Sequence, residues 1–412
     1  MAATAGSALA AVVLATHSHS VDSSTAPFHQ YRLRIGPSTC TQAANLESRR
    51  AAAIVPATSS LGAVVVTCTT GVSTARSYDR RVRRPLLLVV ALALVLAITA
   101  PGAHAAEMRR IAGPDRYATA AAVALDRWRH PSDVVLASGS DPADALAGAY
   151  LSGLHGSPVL LAERDAVPAA TLDALRAMDP STIHVLGGTA SIGAGAVATL
   201  EGEGYTVVRH AGGDRFGTAA AVAGSGGAAI VGVWLDEGPT ALVANGRRPF
   251  DALAAGPLAA GHLLPILLTE AVTLPRATSA ALDDLGIRHV VVLGGTAAVS
   301  DSVVAALESS GRTVRRVAGS DRTATATAVA DLLGELGHVT RRASLTSATA
   351  PFDALGAGPW GAPDTPVLLC ESPTFCGAST LEWSKSRQLE EVVVIGGEAA
   401  VSDAAAVAVA AP

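Results

Sequence analysis

His289-Val290-Val291-Val292-Leu293-Gly294-Gly295 decides the fold. Four apolar residues in a row, three of them β-branched, present no polar face to water, so the segment reads as a strand buried on both sides. Two glycines end it. Reading outward, strands and helices alternate. Upstream, Thr240–Ala244 is a short strand, and Pro249-Phe250-Asp251 turns into a helix from Ala252 to about Ala260. Pro265–Thr269 is a second strand, followed by a helix near Arg276–Leu285. Downstream, Ser300 caps a helix near Asp301–Glu308, and Thr313–Val317 is a last strand. This alternation is the signature of an α/β unit, a parallel sheet covered by helices on both faces.

The unit occurs three times. Gly113-Pro114-Asp115-Arg116-Tyr117-Ala118-Thr119-Ala120 returns as Gly212-Gly213-Asp214-Arg215-Phe216-Gly217-Thr218-Ala219 and as Gly319-Ser320-Asp321-Arg322-Thr323-Ala324-Thr325-Ala326. An Asp-Ala-Leu triplet follows at Asp144, Asp251 and Asp353. An apolar strand then ends in Gly187-Gly188, Gly294-Gly295 and Gly396-Gly397. The period, about 100 residues, is that of a domain rather than of a solenoid repeat. Copy one departs from the others at Tyr150, where copies two and three have Pro257 and Pro359, and at Gly193, which replaces the serine cap. The chain ends soon after the Ser402 cap, so copy three lacks a final strand of its own.

Half of the 412 residues are hydrophobic but only 3% are aromatic, so large cores must be built from Ala, Val and Leu. The net charge of -5 is unevenly spread. Residues 1–105 carry 9 arginines against 3 acidic residues, and the remainder carries 21 basic against 32 acidic residues. An acidic body excludes nucleic acid as a partner, because that interaction needs a basic stripe to displace counterions.

Arg80-Arg81-Val82-Arg83-Arg84-Pro85 precedes the apolar run Leu86–Thr99, and Ala103-His104-Ala105 has the small-x-small form of a cleavage site. Together, 80–105 reads as a secretory signal peptide, too short to span a bilayer, which needs about 20 residues. The expected product is exported and has no membrane association after cleavage. Residues 1–79 are either an upstream stretch ahead of a later start, at Val72 or Val82, or an unusually long leader. Cys40 and Cys68 fall in that stretch. Cys370 and Cys376 lie close together in copy three, where an extracellular setting favours a local disulfide of small stabilising effect.

In combination these motifs resemble the cell wall binding repeat type 2 family. They are Arg-x-x-Gly-x-Asp-Arg, Asp-Ala-Leu, Pro-[Val/Ile]-Leu-Leu and Leu/Ile-Gly-Gly, and the resemblance covers about residues 109–410. We delimit repeats at 109–208, 209–315 and 316–412. The resemblance implies three Rossmann-like units around a pseudo-threefold axis. It also implies noncovalent attachment, at the surface of a Gram-positive cell, to anionic secondary wall polymers such as teichoic-acid-like glycans.

Each repeated position has two readings. Arg116, Arg215 and Arg322 present a planar fork to a phosphate or carboxylate, or else bridge units. Asp144, Asp251 and Asp353 lie at the carboxyl edge of a sheet, where open α/β folds bind ligands. They serve as sugar-hydroxyl acceptors, as ligands for a divalent cation such as calcium, or as plain helix caps. Phe250 and Phe352 either stack on a sugar or pack in the core. Gly187-Gly188, Gly294-Gly295 and Gly396-Gly397 offer backbone N–H groups to an anion, or are demanded by positive φ or tight packing.

Signals for catalysis are thin. There is no His-Glu-x-x-His and no Gly-x-Ser-x-Gly, and no Gly-Lys-Ser/Thr follows the paired glycines. Seven histidines lie beyond residue 105, none at an equivalent position in all three copies, and their spacing assembles no metal site. The expectation is a nonenzymatic wall-binding module without a resident cofactor. The alternatives are a peptidoglycan amidase with its site dispersed through the repeats, and a surface-layer structural protein.

Overall fold

The computed structural model describes residues 105–412 apart from Asp236. The upstream stretch, the signal peptide through residue 104, Cys40 and Cys68 lie outside the described residues. Among the described residues, twelve strands form three four-stranded, wholly parallel sheets. They begin with β1 (Glu107–Ile111), β2 (Asp133–Ser138), β3 (Val159–Ala162), β4 (Thr182–Leu186) and β5 (Thr206–His210). Copy two contributes β6 (Thr240–Asn245), β7 (Ile266–Thr269), β8 (His289–Leu293) and β9 (Thr313–Val317). Copy three contributes β10 (Arg342–Ser347), β11 (Val367–Cys370) and β12 (Glu391–Ile395). The sheet orders are β3-β2-β4-β5, β7-β6-β8-β9 and β11-β10-β12-β1.

The missing strand of copy three is therefore supplied by residues at the opposite end of the repeat region. β1 occupies beside β12 the place that β5 takes beside β4 and β9 beside β8, in register from Glu107↔Glu391 to Ile111↔Ile395. Arg109 fastens this seam, donating to Glu391 at 2.8 Å and to Asp126 at 2.8 and 3.1 Å.

The central strands show why they read as continuous apolar runs. Val291 and Leu293 of β8 join one large core shared by all three copies, while Val290 and Val292 join a second core private to copy two. β2 divides in the same way, Val135 and Ala137 facing the shared core and Val134 and Leu136 the private one. In β12, Val393 and Ile395 face the shared core, and Val392 and Val394 the private one.

Helices α1 (Arg116–Arg127) and α2 (Pro142–His155) precede α3 (Ala169–Met178) and α4 (Ala194–Gly202) in copy one. Copy two has α5 (Arg215–Gly224), α6 (Gly256–His262), α7 (Arg276–Asp284) and α8 (Asp301–Ser309). Copy three has α9 (Arg322–Glu335), α10 (Pro351–Gly361), α11 (Ala378–Arg387) and α12 (Asp403–Ala410). The helix expected over Ala252–Ala260 is in fact a 3-10 segment, Pro249–Ala255, that passes into α6. Pro257 has no N–H to return to the preceding turn, which favours the break without forcing it. With Tyr150 at that place, copy one keeps an unbroken α2, while copy three holds Pro359 inside α10. Ser300 begins α8 as expected, but its hydroxyl pairs with Ser302 at 2.7 Å and caps no N–H.

α2, α6 and α10 pack on one another as a closed trio, which is the pseudo-threefold axis. Small residues permit the approach. A Cβ on Gly256 would lie 2.5 Å from the Gly358 Cα, and one on Gly358 would lie 2.6 Å from the Gly256 Cα. A disulfide joins Cys370 and Cys376 at the edge of copy three. No helix among the described residues is long and apolar enough to cross a membrane.

Candidate functional site

The Asp-Arg pairs divide their work. Asp115, Asp214 and Asp321 cap α1, α5 and α9, accepting the N–H of Ala118, Gly217 and Ala324 at 2.8 Å each. The arginine that follows spans two copies. Within its own copy it donates to a carbonyl beyond the first strand: Arg116 to Gly139 (2.5 Å), Arg215 to Gly246 (2.8 Å) and Arg322 to Ala348 (2.7 Å). It then meets the copy next to it in the ring. Arg116 lies over the Phe352 ring at 4.1 Å, and Arg322 over Phe250 at 5.1 Å. Copy one has Ala143 in place of that phenylalanine, and Arg215 pairs instead with Asp141 at 3.1 Å. The ring of contacts is closed: copy one on three, two on one, three on two. Phe250 and Phe352 thus receive an arginine and pack against the shared core.

The Asp-Ala-Leu aspartates lie under the paired-glycine turns. A Cβ on Gly294 would lie 2.6 Å from Asp251 Oδ2, and one on Gly396 would lie 2.6 Å from Asp353 Oδ2. Gly187 crowds Asp144 in the same way, and Asp144 also accepts the Ser191 hydroxyl at 2.9 Å. Burial pushes all three carboxyls above the usual carboxylate range, Asp353 to about 6, while the neighbouring arginine pulls each back. Those arginines are Arg215 for Asp144, Arg322 for Asp251 and Arg116 for Asp353. Each candidate site is thus assembled from two copies, with the arginine from one and the aspartate and glycines from the other. Among the described residues these aspartates belong to no group of three metal-capable side chains.

Asp353 carries a pH signature. A carboxyl raised by folding holds its proton more tightly in the folded state than in the unfolded one. Its burial penalty is absent below the unfolded value near 3.8 and complete above about 6, so stability falls as pH rises through that window. Asp353→Asn is expected to remove this slope and to raise stability at pH 7.5 by up to about 2 kcal/mol. Thermal unfolding at pH 5 and pH 7.5 checks it, and an identical pH slope in both proteins would refute it.

The two glycines of each turn differ. Gly187, Gly294 and Gly396 have φ of 88°, 100° and 116°, the left-handed region that disfavours a side chain, and they face the buried aspartate. Gly188, Gly295 and Gly397 have neither constraint: an added Cβ would meet nothing within 4 Å. Their carbonyls each accept two N–H groups from the following turn, as Gly188 does from Ser191 and Ile192 at 3.0 and 3.1 Å. Among the described residues their own N–H groups make no such bond.

Sequence reasoning left Arg110, Arg209 and Arg316 without a role, although the Arg-x-x-Gly-x-Asp-Arg motif contains them. They hold the turns in place, donating to the carbonyls of Gly396 (2.7 Å), Gly187 (2.6 Å) and Gly294 (2.9 Å). Their threefold recurrence was the available signal.

Comparison with known proteins agrees with this architecture. A family model described as cell wall binding domain 2 (CWB2) matches residues 110–197, 209–304 and 316–406. The chain is 27% identical over 295 residues to the N-acetylmuramoyl-L-alanine amidase LytC of Bacillus subtilis (strain 168), covering 72% of this chain and 56% of that protein. It is 33% identical over 221 residues to the amidase enhancer of the same organism, covering 54% of this chain and 29% of that protein. Among solved structures, Cwp6 from Clostridium difficile superposes with a TM-score of 0.65 at 24% identity, covering 74% of this chain and 48% of Cwp6. Cwp8 from the same organism gives 0.61 at 22% identity, covering 79% of this chain and 54% of Cwp8. The chain thus spans about half the length of most of these relatives, and the structural likenesses establish the fold. With the family model matched in each of its three repeats, the chain belongs to the cell wall binding domain 2 family.

Proposed function

We propose that this protein is exported and attaches noncovalently to an anionic wall polymer at three equivalent clefts, one at each junction between repeats. One observation carries the reading. Gly188, Gly295 and Gly397 are glycine in all three copies, although neither φ nor packing demands it. A backbone kept bare at the carboxyl edge of a parallel sheet suits close approach by a ligand, and N–H groups there favour an anion. The adjoining Arg116, Arg215 and Arg322 supply local positive charge on an otherwise acidic body. Three weak clefts on one body act together through high effective concentration, so losing one costs more than a third of the occupancy.

The test is cosedimentation of the protein with native sacculi and with sacculi stripped of acid-labile polymer. Binding that disappears on stripping is expected, and equal binding to both would overturn the polymer assignment. A peptidoglycan zymogram separates this reading from a hydrolytic one, in which the purified chain clears the gel. Addition of a chelator decides whether a cation such as calcium bridges carboxylate and polymer.

A further inference from the structure

Copy one carries a polar cluster that the other copies lack. His184 on β4 stands where copies two and three have Val291 and Val393, both in the shared core. His210 on β5 stands where they have Val317 and Ile111, also in that core. Two aliphatic core positions have become imidazoles, and burying polar groups there is costly unless they are satisfied. His184, only 6% exposed, is satisfied on both sides: Nε2 lies 2.9 Å from Asp133 Oδ1, and Nδ1 lies 3.0 Å from His210 Nε2. His155 completes the group. Its Nδ1 lies 3.7 Å from the same Asp133 oxygen, and its ring centroid lies 4.3 Å from that of His184.

We propose that Asp133, His155 and His184 form a binding site for a divalent transition metal, zinc in the first instance, on repeat one. The three ligand atoms already lie within 4.8 Å of one another. Tetrahedral zinc, with bonds of about 2.0–2.2 Å, needs its ligand atoms about 3.3 Å apart, so small side-chain rotations close the set. Two imidazoles and one carboxylate suit zinc and its neighbours rather than calcium, which takes oxygen ligands. His155 is partly exposed, which leaves a coordination position for water. It is also the last residue of α2, so the partial negative charge of that helix end adjoins the cation.

His210 has a distinct place. With a metal on Nε2, His184 must carry its proton on Nδ1, and that N–H points at His210 Nε2. His210 Nε2, 3.0 Å away, is placed to accept it. An outer hydrogen bond of this kind orients a ligating imidazole, making His210 a positioning residue. None of the three ligand residues is among the residues proposed to meet the polymer, so the two proposals can be tested apart.

Isothermal titration of metal-free full-length protein with zinc, and visible absorption after cobalt addition, test the site. His184→Val installs the residue of the other two copies and so keeps the core filled. It is expected to remove one tight zinc equivalent and the tetrahedral cobalt bands, whatever weaker binding His17 and His19 contribute. His155→Ala, at a partly exposed position, is expected to weaken zinc at least 10-fold, and His210→Val about 10-fold through loss of the hydrogen bond that orients His184. His262→Ala, outside the cluster, is expected to leave affinity unchanged. No tight zinc equivalent in the parent, or the same equivalent retained in His184→Val, overturns the proposal.

Discussion

A Gly188→Asp, Gly295→Asp, Gly397→Asp triple variant is expected to lose retention on sacculi by about 100-fold or more, while its folding stability stays within about 1 kcal/mol of the parent. The first half of that expectation follows from charge and multiplicity. Each substitution sets a carboxylate where an anion is proposed to meet backbone N–H groups, and all three clefts fail together. The second half follows from the open space beyond each of these glycines and their lack of positive φ. The matching asparagine triple variant separates charge from bulk, and should lose much less. By contrast, Gly294→Ala forces a side chain to φ of 100° against Asp251, and should lower stability by about 1–3 kcal/mol with little room for relaxation. A triple aspartate variant that still sediments with walls like the parent would place the polymer elsewhere on the molecule.

Gly256→Val is expected to damage the fold severely, with a loss of about 3 kcal/mol or more. Its Cβ would sit 2.5 Å from the Gly358 Cα, so the clash is with backbone rather than with a side chain that can turn away. The site lies where α6 meets α10, in a core to which every copy contributes, so separation of that pair loosens all three units. Gly334→Ala is the control. It lies inside α9 with nothing within 4 Å of the added methyl, and should be neutral or stabilising by up to about 1 kcal/mol. Chemical denaturation of the two variants beside the parent provides the comparison. A Gly256→Val protein as stable as the parent would mean that the helix trio is not the organising contact.

The α/β character was legible because buried parallel strands cannot alternate. Both His289–Leu293 and Thr313–Val317 were read to the residue. The irregular start of the second helix was less legible, because Tyr150 against Pro257 and Pro359 was read as a difference between copies and not as a change of helix type. The fourth strand of the third sheet was not readable at all. Its residues pair with β12, as in the Arg109–Glu391 contact across 282 positions, and no local pattern carries that information. At the site, repetition identified Gly-Gly as a unit, but only the backbone angles show that the first glycine is conformational and the second is not. The histidines escaped because their cluster exists in one copy only, so threefold recurrence does not mark it.

The pairing of β1 with β12 also sets the order of assembly. Of the four strands of its sheet, β1 is synthesised first, and its partner emerges only after most of the repeat region has been made. Until then β12's place beside it is vacant, and β1 waits with its hydrogen-bonding edge unmet, the condition that invites wrong pairing. Closing so long a loop is also slow. The first two sheets can complete as they are made, but the third can close only on a chain that extends through Ile395. The seam thus acts as a check on completeness: a product cut short inside the third repeat leaves β1 unpaired and the ring open.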